Sequence, residues 1–226
     1  MPFYAQLSAG DRERLEERLK IFARTVHFEG AGGMEITDRV VVVIAACAAR
    51  LVLNLPDEHY NRLKEIVVYP DAYRHPDRGS AILGEVNDFG TMVLSWRAVL
   101  EGLRDTDDGK NTAFHEFAHA LDLGGGTFDG TPVLVSRCAY GPWAKVMSRY
   151  YKRLRGGETR RRVLREYGAI NEAEFFAVAT EAFFEKPRVV REKKPDLYEV
   201  LSDYYRTDPA SELEAHLTGR RNSRSA

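Results

Sequence analysis

Residues 112–126, TAFHEFAHALDLGGG, restrict the fold of this chain more than any other stretch. His115 and His119 stand four positions apart, so in a helix they share one face and can aim two imidazole nitrogens at a single point. A helix is the expected element. Asn111 or Thr112 can cap its start, Phe114, Ala118 and Leu121 form a packing stripe, and Gly124 to Gly126 end it. The same residues are also compatible with an ordinary helix that carries two histidines by coincidence. Asp122, two turns after His115, has three readings: an acceptor for an imidazole N–H, an anchor for a neighbouring backbone group, or a solvated residue near the helix end.

Two imidazoles on one turn are half of a tetrahedral zinc site, and Glu116 stands where such sites keep the carboxylate that takes a proton from zinc-activated water. A catalytic zinc normally has three protein ligands and one open position. The longer motif that continues with glycine and histidine would need them at positions 122 and 125, which are Asp122 and Gly125, so the third donor must lie elsewhere. His27, His59, His75 and His216 occupy unrelated contexts and read as ordinary residues. The stretch YGAINEAEFFAVATEAFF, residues 167–184, is the better source. Asn171 is a good N-cap, which puts Glu174 at the third helical position and Glu181 two turns later on the same face. Spacing leaves Glu174 between two roles, metal donor or the reciprocal half of a capping box, with Glu172 and Glu181 as alternatives. Phe175, Phe176, Phe183 and Phe184 read as core aromatics. A purely structural zinc is disfavoured, because such sites are mostly closed by cysteine and none lies beside these histidines.

Elsewhere the pattern predicts helix, helix, then strands. Residues 10–26 place Leu15, Leu19, Phe22 and Val26 at helical spacing; Thr37 or Asp38 caps a second helix to about Leu53, apolar nearly all round. EIVVYP, ending at Pro70, and GTMVLSW, from Gly90 to Trp96, read as strands separated by turn formers. From Asn111 helices are expected over roughly 111–123, 142–155, 171–186 and 195–206, giving an α+β domain dominated by helix. There is no repeat or linker, so 226 residues read as one domain.

Lys and Arg total 33 against 34 Asp and Glu, a formal charge of −1 that favours neither nucleic acid nor an anionic membrane. The apolar run Val40 to Ala49 is well short of the roughly 20 residues a membrane-spanning helix needs, and the N-terminus lacks the pattern of a secretory signal. A cytoplasmic location is the expectation. Cys47 and Cys138 are expected to be free, buried thiols.

HEFAHALD, followed downstream by YGAINEAEFFAVATEAFF, resembles the Mlc titration factor A family of bacterial zinc peptidases, and both segments are similar to the catalytic domain of lethal-factor-type toxin proteases. VVYPDAY and GEVNDFGTMVLSW resemble the family's strand segments ahead of the zinc helix. The likeness covers about residues 5–205 of a single domain spanning 1–226, leaving about 207–226 as a flexible tail. It implies a zincin-like metallopeptidase domain in which His115, His119 and Glu174 bind Zn2+, Glu116 is the general base and Tyr167 contributes to catalysis. Glu181 then falls outside the ligand set. The implied activity is hydrolysis of short peptides, aminopeptidase-like; the alternative is a regulatory protein that sequesters a transcriptional repressor, with no direct contact to nucleic acid. By fold analogy, the GTMVLSW strand is expected to rim the cleft and to receive an extended peptide as an added strand.

Overall fold

The computed structural model describes residues 1–56, 59–74, 81–157 and 163–222. Its centre is built from the run that is apolar all round. Thr37 caps helix α3 (Asp38–Leu51), its side chain accepting from the Val40 amide, and every residue from Ile44 to Leu51 is buried. Such a helix has no solvent face to offer, so it must be covered on all sides. Helix α2 (Ala9–Thr25), preceded by the short α1 (Pro2–Gln6), packs on one side of it, and α5 (Thr112–Leu123) packs on another.

A four-stranded sheet supports α5. Strands β1 (His27–Gly30), β2 (Glu65–Tyr69) and β6 (Thr91–Ser95) run parallel, and β5 (Gly84–Val86) closes the edge antiparallel to β6, giving the order β1-β2-β6-β5. Period-two alternation decides the faces: Ile66, Val68, Met92 and Leu94 are fully buried, while Glu65, Val67 and Tyr69 lie on the other face and are half-buried. A separate two-stranded ribbon pairs β3 (Tyr73–Arg74) with β4 (Ala81–Ile82). The β5–β6 hairpin turns at Gly90, whose φ of 88° is a conformation only glycine adopts freely. Asn87 braces that turn, its side-chain oxygen accepting from the Phe89 and Thr91 amides at 3.0 Å each.

The remaining helices are α4 (Trp96–Arg104), α6 (Tyr140–Arg155), α7 (Glu172–Glu185), α8 (Pro187–Lys193), α9 (Pro195–Tyr205) and α10 (Pro209–Asn222). Of these, α4 and α7 pack on α5 and the others build outward from them. Aromatic rings fill the gaps between them: Phe22 and Tyr60 meet Phe117 at 5.6 Å, and Trp143 and Tyr204 meet Phe176 at 5.6 and 6.1 Å. The chain is thus mostly helical with a small mixed sheet, as an α+β domain requires.

Three expectations are corrected. The strand expected through Trp96 stops at Ser95, whose hydroxyl accepts from the Ala98 amide at 3.2 Å and starts α4, an element absent from the sequence reading. The expected flexible tail is largely a helix. α10 is held by Arg50 with Glu212 and by Arg191 with Glu214, and Ala210 is fully buried; residues 223–226 lie outside the described residues. Cys138 is exposed rather than buried, because a 3-10 turn over Arg137–Ala139 carries it at the surface; Cys47 is buried, which pushes its thiol up to about 12. His75 lies outside the described residues. Among the described residues no helix is long and apolar enough to cross a membrane.

A Cβ at position 90 would meet the Arg62 carbonyl oxygen at 1.9 Å, in a backbone conformation that side chains disfavour. Gly90→Ala is therefore expected to destabilise the protein by at least about 1–3 kcal/mol. Urea unfolding measures the loss, and an unchanged midpoint contradicts the account.

Candidate metal centre

Both helices that build the centre begin with an asparagine cap. The Asn111 side-chain oxygen accepts from the Phe114 amide at 3.0 Å, and that of Asn171 accepts from the Glu174 amide at 2.8 Å. α5 is buried along its whole length, and α7 packs directly against it. His115 and His119, one turn apart on α5, hold their rings 4.8 Å apart and nearly perpendicular.

Three donor atoms converge there. His115 Nε2 lies 3.0 Å from Glu174 Oε2, His119 Nε2 lies 3.4 Å from the same oxygen, and the two nitrogens are 3.2 Å apart. A tetrahedral ion with bonds of about 2.0–2.1 Å separates neighbouring donors by about 3.3–3.4 Å, close to the sides of this triangle. Two imidazoles and one carboxylate also suit zinc chemically. The residues present therefore fit a tetrahedral divalent metal with one position left open.

Without a metal, a proton satisfies the same cluster. Burial alone would push His115 down, but contacts with the Glu174 and Glu181 carboxylates overcome it and hold the imidazole at about 10. Burial likewise opposes ionisation of Glu174, and hydrogen bonds and charge from His115 and His119 outweigh it, leaving that carboxyl at about 2.

Glu116 is buried beside the triangle and its pKa is raised, burial being the largest cause. It can approach the sheet edge because position 84 has no side chain: a Cβ there would lie 2.4 Å from Glu116 Oε1. Tyr167 sits on a 3-10 turn (Glu166–Ala169) immediately before α7, 46% exposed, with its ring 5.7 Å from that of His115 and its hydroxyl 3.5 Å from Glu174 Oε1. Burial, then the nearby Glu174 charge, raise its hydroxyl to about 12. The site residues expected from the sequence are thus all brought to one cleft of about 700 Å³.

The open alternatives separate cleanly. Asn171 caps α7 with its own oxygen, while the Glu174 carboxylate turns away to the histidines. Glu181 is buried behind His115, its Oε1 3.4 Å from Nδ1. Asp122 is fully buried and accepts from the Gly130 amide at 2.8 Å, so it anchors a backbone loop and does not solvate the helix end; burial pushes its carboxyl up to about 6. His27 lies apart, grouped with Glu29 and Glu65 on β1 and β2.

One expectation about the cleft is corrected. β6, the strand of GTMVLSW, is paired on both sides, with β2 and β5, so its backbone cannot accept another strand. Among the described residues the outer strand on this side of the sheet is β5, and Ala81 to Val86 line the cleft instead. Gly84, Phe128, whose ring stands 6.1 Å from His119, and Arg165 were not anticipated. An isolated glycine in a strand is a signal of close approach and could have marked Gly84. No comparable signal marks the other two.

Residues 1–206 match the family model of glucose-regulated metallo-peptidase M90. The chain belongs to this family. It is also 39% identical over 223 residues to an uncharacterized protein of Synechocystis, covering 92% of this chain and 81% of that one. Mlc titration factor A of Pectobacterium atrosepticum is 27% identical over 234 residues, with 95% and 86% covered, and that of Serratia proteamaculans 28% identical over 225 residues, with 89% and 84% covered. The resemblance drawn from the HEFAHALD and YGAINEAEFFAVATEAFF segments therefore holds, and family membership implies a metal-dependent peptidase domain.

Metal binding here must displace the proton that His115 holds in the metal-free protein, because a ligating imidazole is neutral. Zinc titration of the metal-free protein near pH 7 is thus expected to release protons. In calorimetry the apparent heat then scales with the ionisation enthalpy of the buffer; a heat independent of buffer rules out this protonation state.

Proposed function

We propose that the chain is a zinc peptidase that hydrolyses short peptides, with His115, His119 and Glu174 as metal ligands, Glu116 as general base and Tyr167 as a hydrogen-bond donor to the reacting carbonyl. The observation that carries this reading is the donor triangle with sides of 3.0, 3.2 and 3.4 Å, flanked by the buried Glu116 carboxylate. Zinc, when bound, supplies Lewis acidity to a scissile carbonyl and acidifies water.

The chain's own groups do the rest. Burial raises Glu116, which brings its basicity closer to that of a working general base near neutral pH. It takes a proton from the attacking water and delivers it to the departing amine. Tyr167 keeps its proton, being held at about 12, and can therefore donate to oxygen as negative charge develops. Among the described residues β5 is the outer strand beside Glu116, and its backbone can hold an extended peptide through main-chain hydrogen bonds, which asks little of substrate sequence. Aminopeptidase-like action is the form of this activity that the family resemblance favours.

A second reading follows from the relatives named Mlc titration factor A, a name that denotes binding of a regulatory protein. Titration of a transcriptional repressor is compatible with peptidase activity, since a protein partner can dock away from the cleft.

Glu116→Gln is expected to lower peptide cleavage by roughly 100- to 10,000-fold while zinc stays bound, and Tyr167→Phe by about 100-fold. Kinetics on a short-peptide panel, with metal analysis, check both. A zinc-loaded wild type that cleaves nothing in the panel leaves repressor binding as the better account. Gly84→Ala should also abolish most cleavage with zinc retained, because the added methyl occupies the place of the Glu116 carboxylate; full activity in that variant would show that Glu116 works from another position.

A further inference from the structure

Glu181 has no task in the proposed reaction, yet it is only 1% exposed and is fastened on three sides. Its Oε1 lies 3.4 Å from His115 Nδ1 and accepts from the Asn111 amide at 3.3 Å. Its Oε2 accepts from both Nε, at 3.2 Å, and Nη2 of Arg165. Both donors of this guanidinium fork converge on the one oxygen, which neutralises the carboxylate and pins Oε2, leaving Oε1 to face His115 and Asn111.

Arg165 reaches a second group as well. Its guanidinium lies 5.8 Å from the centroid of the Tyr167 ring, and that ring is 5.7 Å from His115. The connection is also local: the Gly168 amide donates to the Arg165 carbonyl at 3.2 Å, closing the turn that presents Tyr167. One side chain therefore touches the carboxylate behind a donor imidazole and the aromatic ring in front of it.

We propose that Arg165 is a positioning residue that acts through Glu181: it clamps the carboxylate against His115 Nδ1, so that this nitrogen carries the ring proton and Nε2 faces the metal, and it steadies Tyr167 over the same imidazole. The requirement follows from the two distinct nitrogens of histidine. Which one binds metal is decided by what the other donates to. Glu181 can perform this task only while its own position is fixed, and a buried carboxylate deprived of its counter-charge draws in water or turns away. The Asn111 amide alone supplies a dipole and no charge. Arg165 supplies both, from a position open enough to the cleft that its replacement leaves the core intact, its side chain being 31% exposed.

The inference rests on the metal centre of the proposed peptidase but is read without substrate. Zinc affinity is measured by chelator competition, at one pH, for the metal-free wild type, Arg165→Gln, Arg165→Lys, Glu181→Gln and the double variant Arg165→Gln/Glu181→Gln. Arg165→Gln is expected to weaken zinc binding about 10-fold or more, within the range typical of such outer contacts. Arg165→Lys should recover part of that loss, having the charge without the fork. The double variant should bind no more weakly than Glu181→Gln alone, since a residue that acts through another adds nothing once the other is removed. Wild-type affinity in Arg165→Gln, or losses that add in full, overturns the proposal while leaving the peptidase reading in place. If Glu181→Gln does not fold, the Gln and Lys variants at position 165 decide alone, equal weakening in both counting against the fork. A wild type that takes up no zinc at all fails the peptidase reading itself.

Discussion

Everything specific in this molecule depends on one contact between helices: the Glu174 carboxylate of α7 meets both imidazoles of α5 at 3.0 and 3.4 Å. Two helices from different parts of the chain must approach closely, in one axial register, with polar groups aimed inward. Desolvating a carboxylate and two imidazoles is unfavourable unless each finds a partner. Here each partner is supplied by the others, and other residues of the two helices anchor them in the core, Phe117, Phe175 and Phe176 being fully buried. The sheet and the central α3 pack against α5 as well.

The same compact region distributes its acids by environment. Glu174 is held at about 2 by the histidines, Asp122 is pushed up to about 6 and Glu185 to about 8, each of the latter mainly by burial with incomplete hydrogen bonding. Glu116 is raised for the same reason but sits against the bare backbone of Gly84, where the cleft begins. A low pKa thus goes with the carboxylate that faces the donor cluster, and of the three raised ones Glu116 is the one that lines the cleft. That division needs no difference in residue type, only in neighbours.

Local chemistry explains what the sequence makes legible. Histidines four apart, asparagine caps at positions 111 and 171, and three closing glycines each act within a few residues, so α5, α7 and the direction of their polar faces follow from spacing. Spacing cannot separate Glu174 as donor from Glu174 as cap, because both roles place the residue at the same point and differ only in where its side chain turns. The edge strand was misplaced because Gly84–Val86 falls in GEVNDFG, a stretch whose turn formers hide a strand, and only its pairing with β6 shows it to be the outer one. Arg165 was illegible altogether, since its partner Glu181 lies on another element and an arginine before a turn has many uses. Helix α10 was missed because its anchor, Arg50 with Glu212, joins distant parts of the chain.

The register between α5 and α7 calls for more than apolar packing. Hydrophobic contact is non-directional and tolerates sliding, whereas a donor triangle with sides near 3 Å does not. Asn111 supplies the missing direction. Its side-chain oxygen begins α5 by accepting from Phe114, its backbone amide donates to Glu181 at 3.3 Å, and its side-chain amide donates to Glu185 Oε1 at 3.0 Å, one turn further along α7. Two acceptors on successive turns of one helix are thereby tied to the first residue of the other, so a slide of either helix breaks buried hydrogen bonds at once. Leaving a buried donor or acceptor without its partner costs about 1–3 kcal/mol per group, enough to make the observed register the only favourable one. The position of the two histidines is therefore set at the start of their helix, one turn before His115.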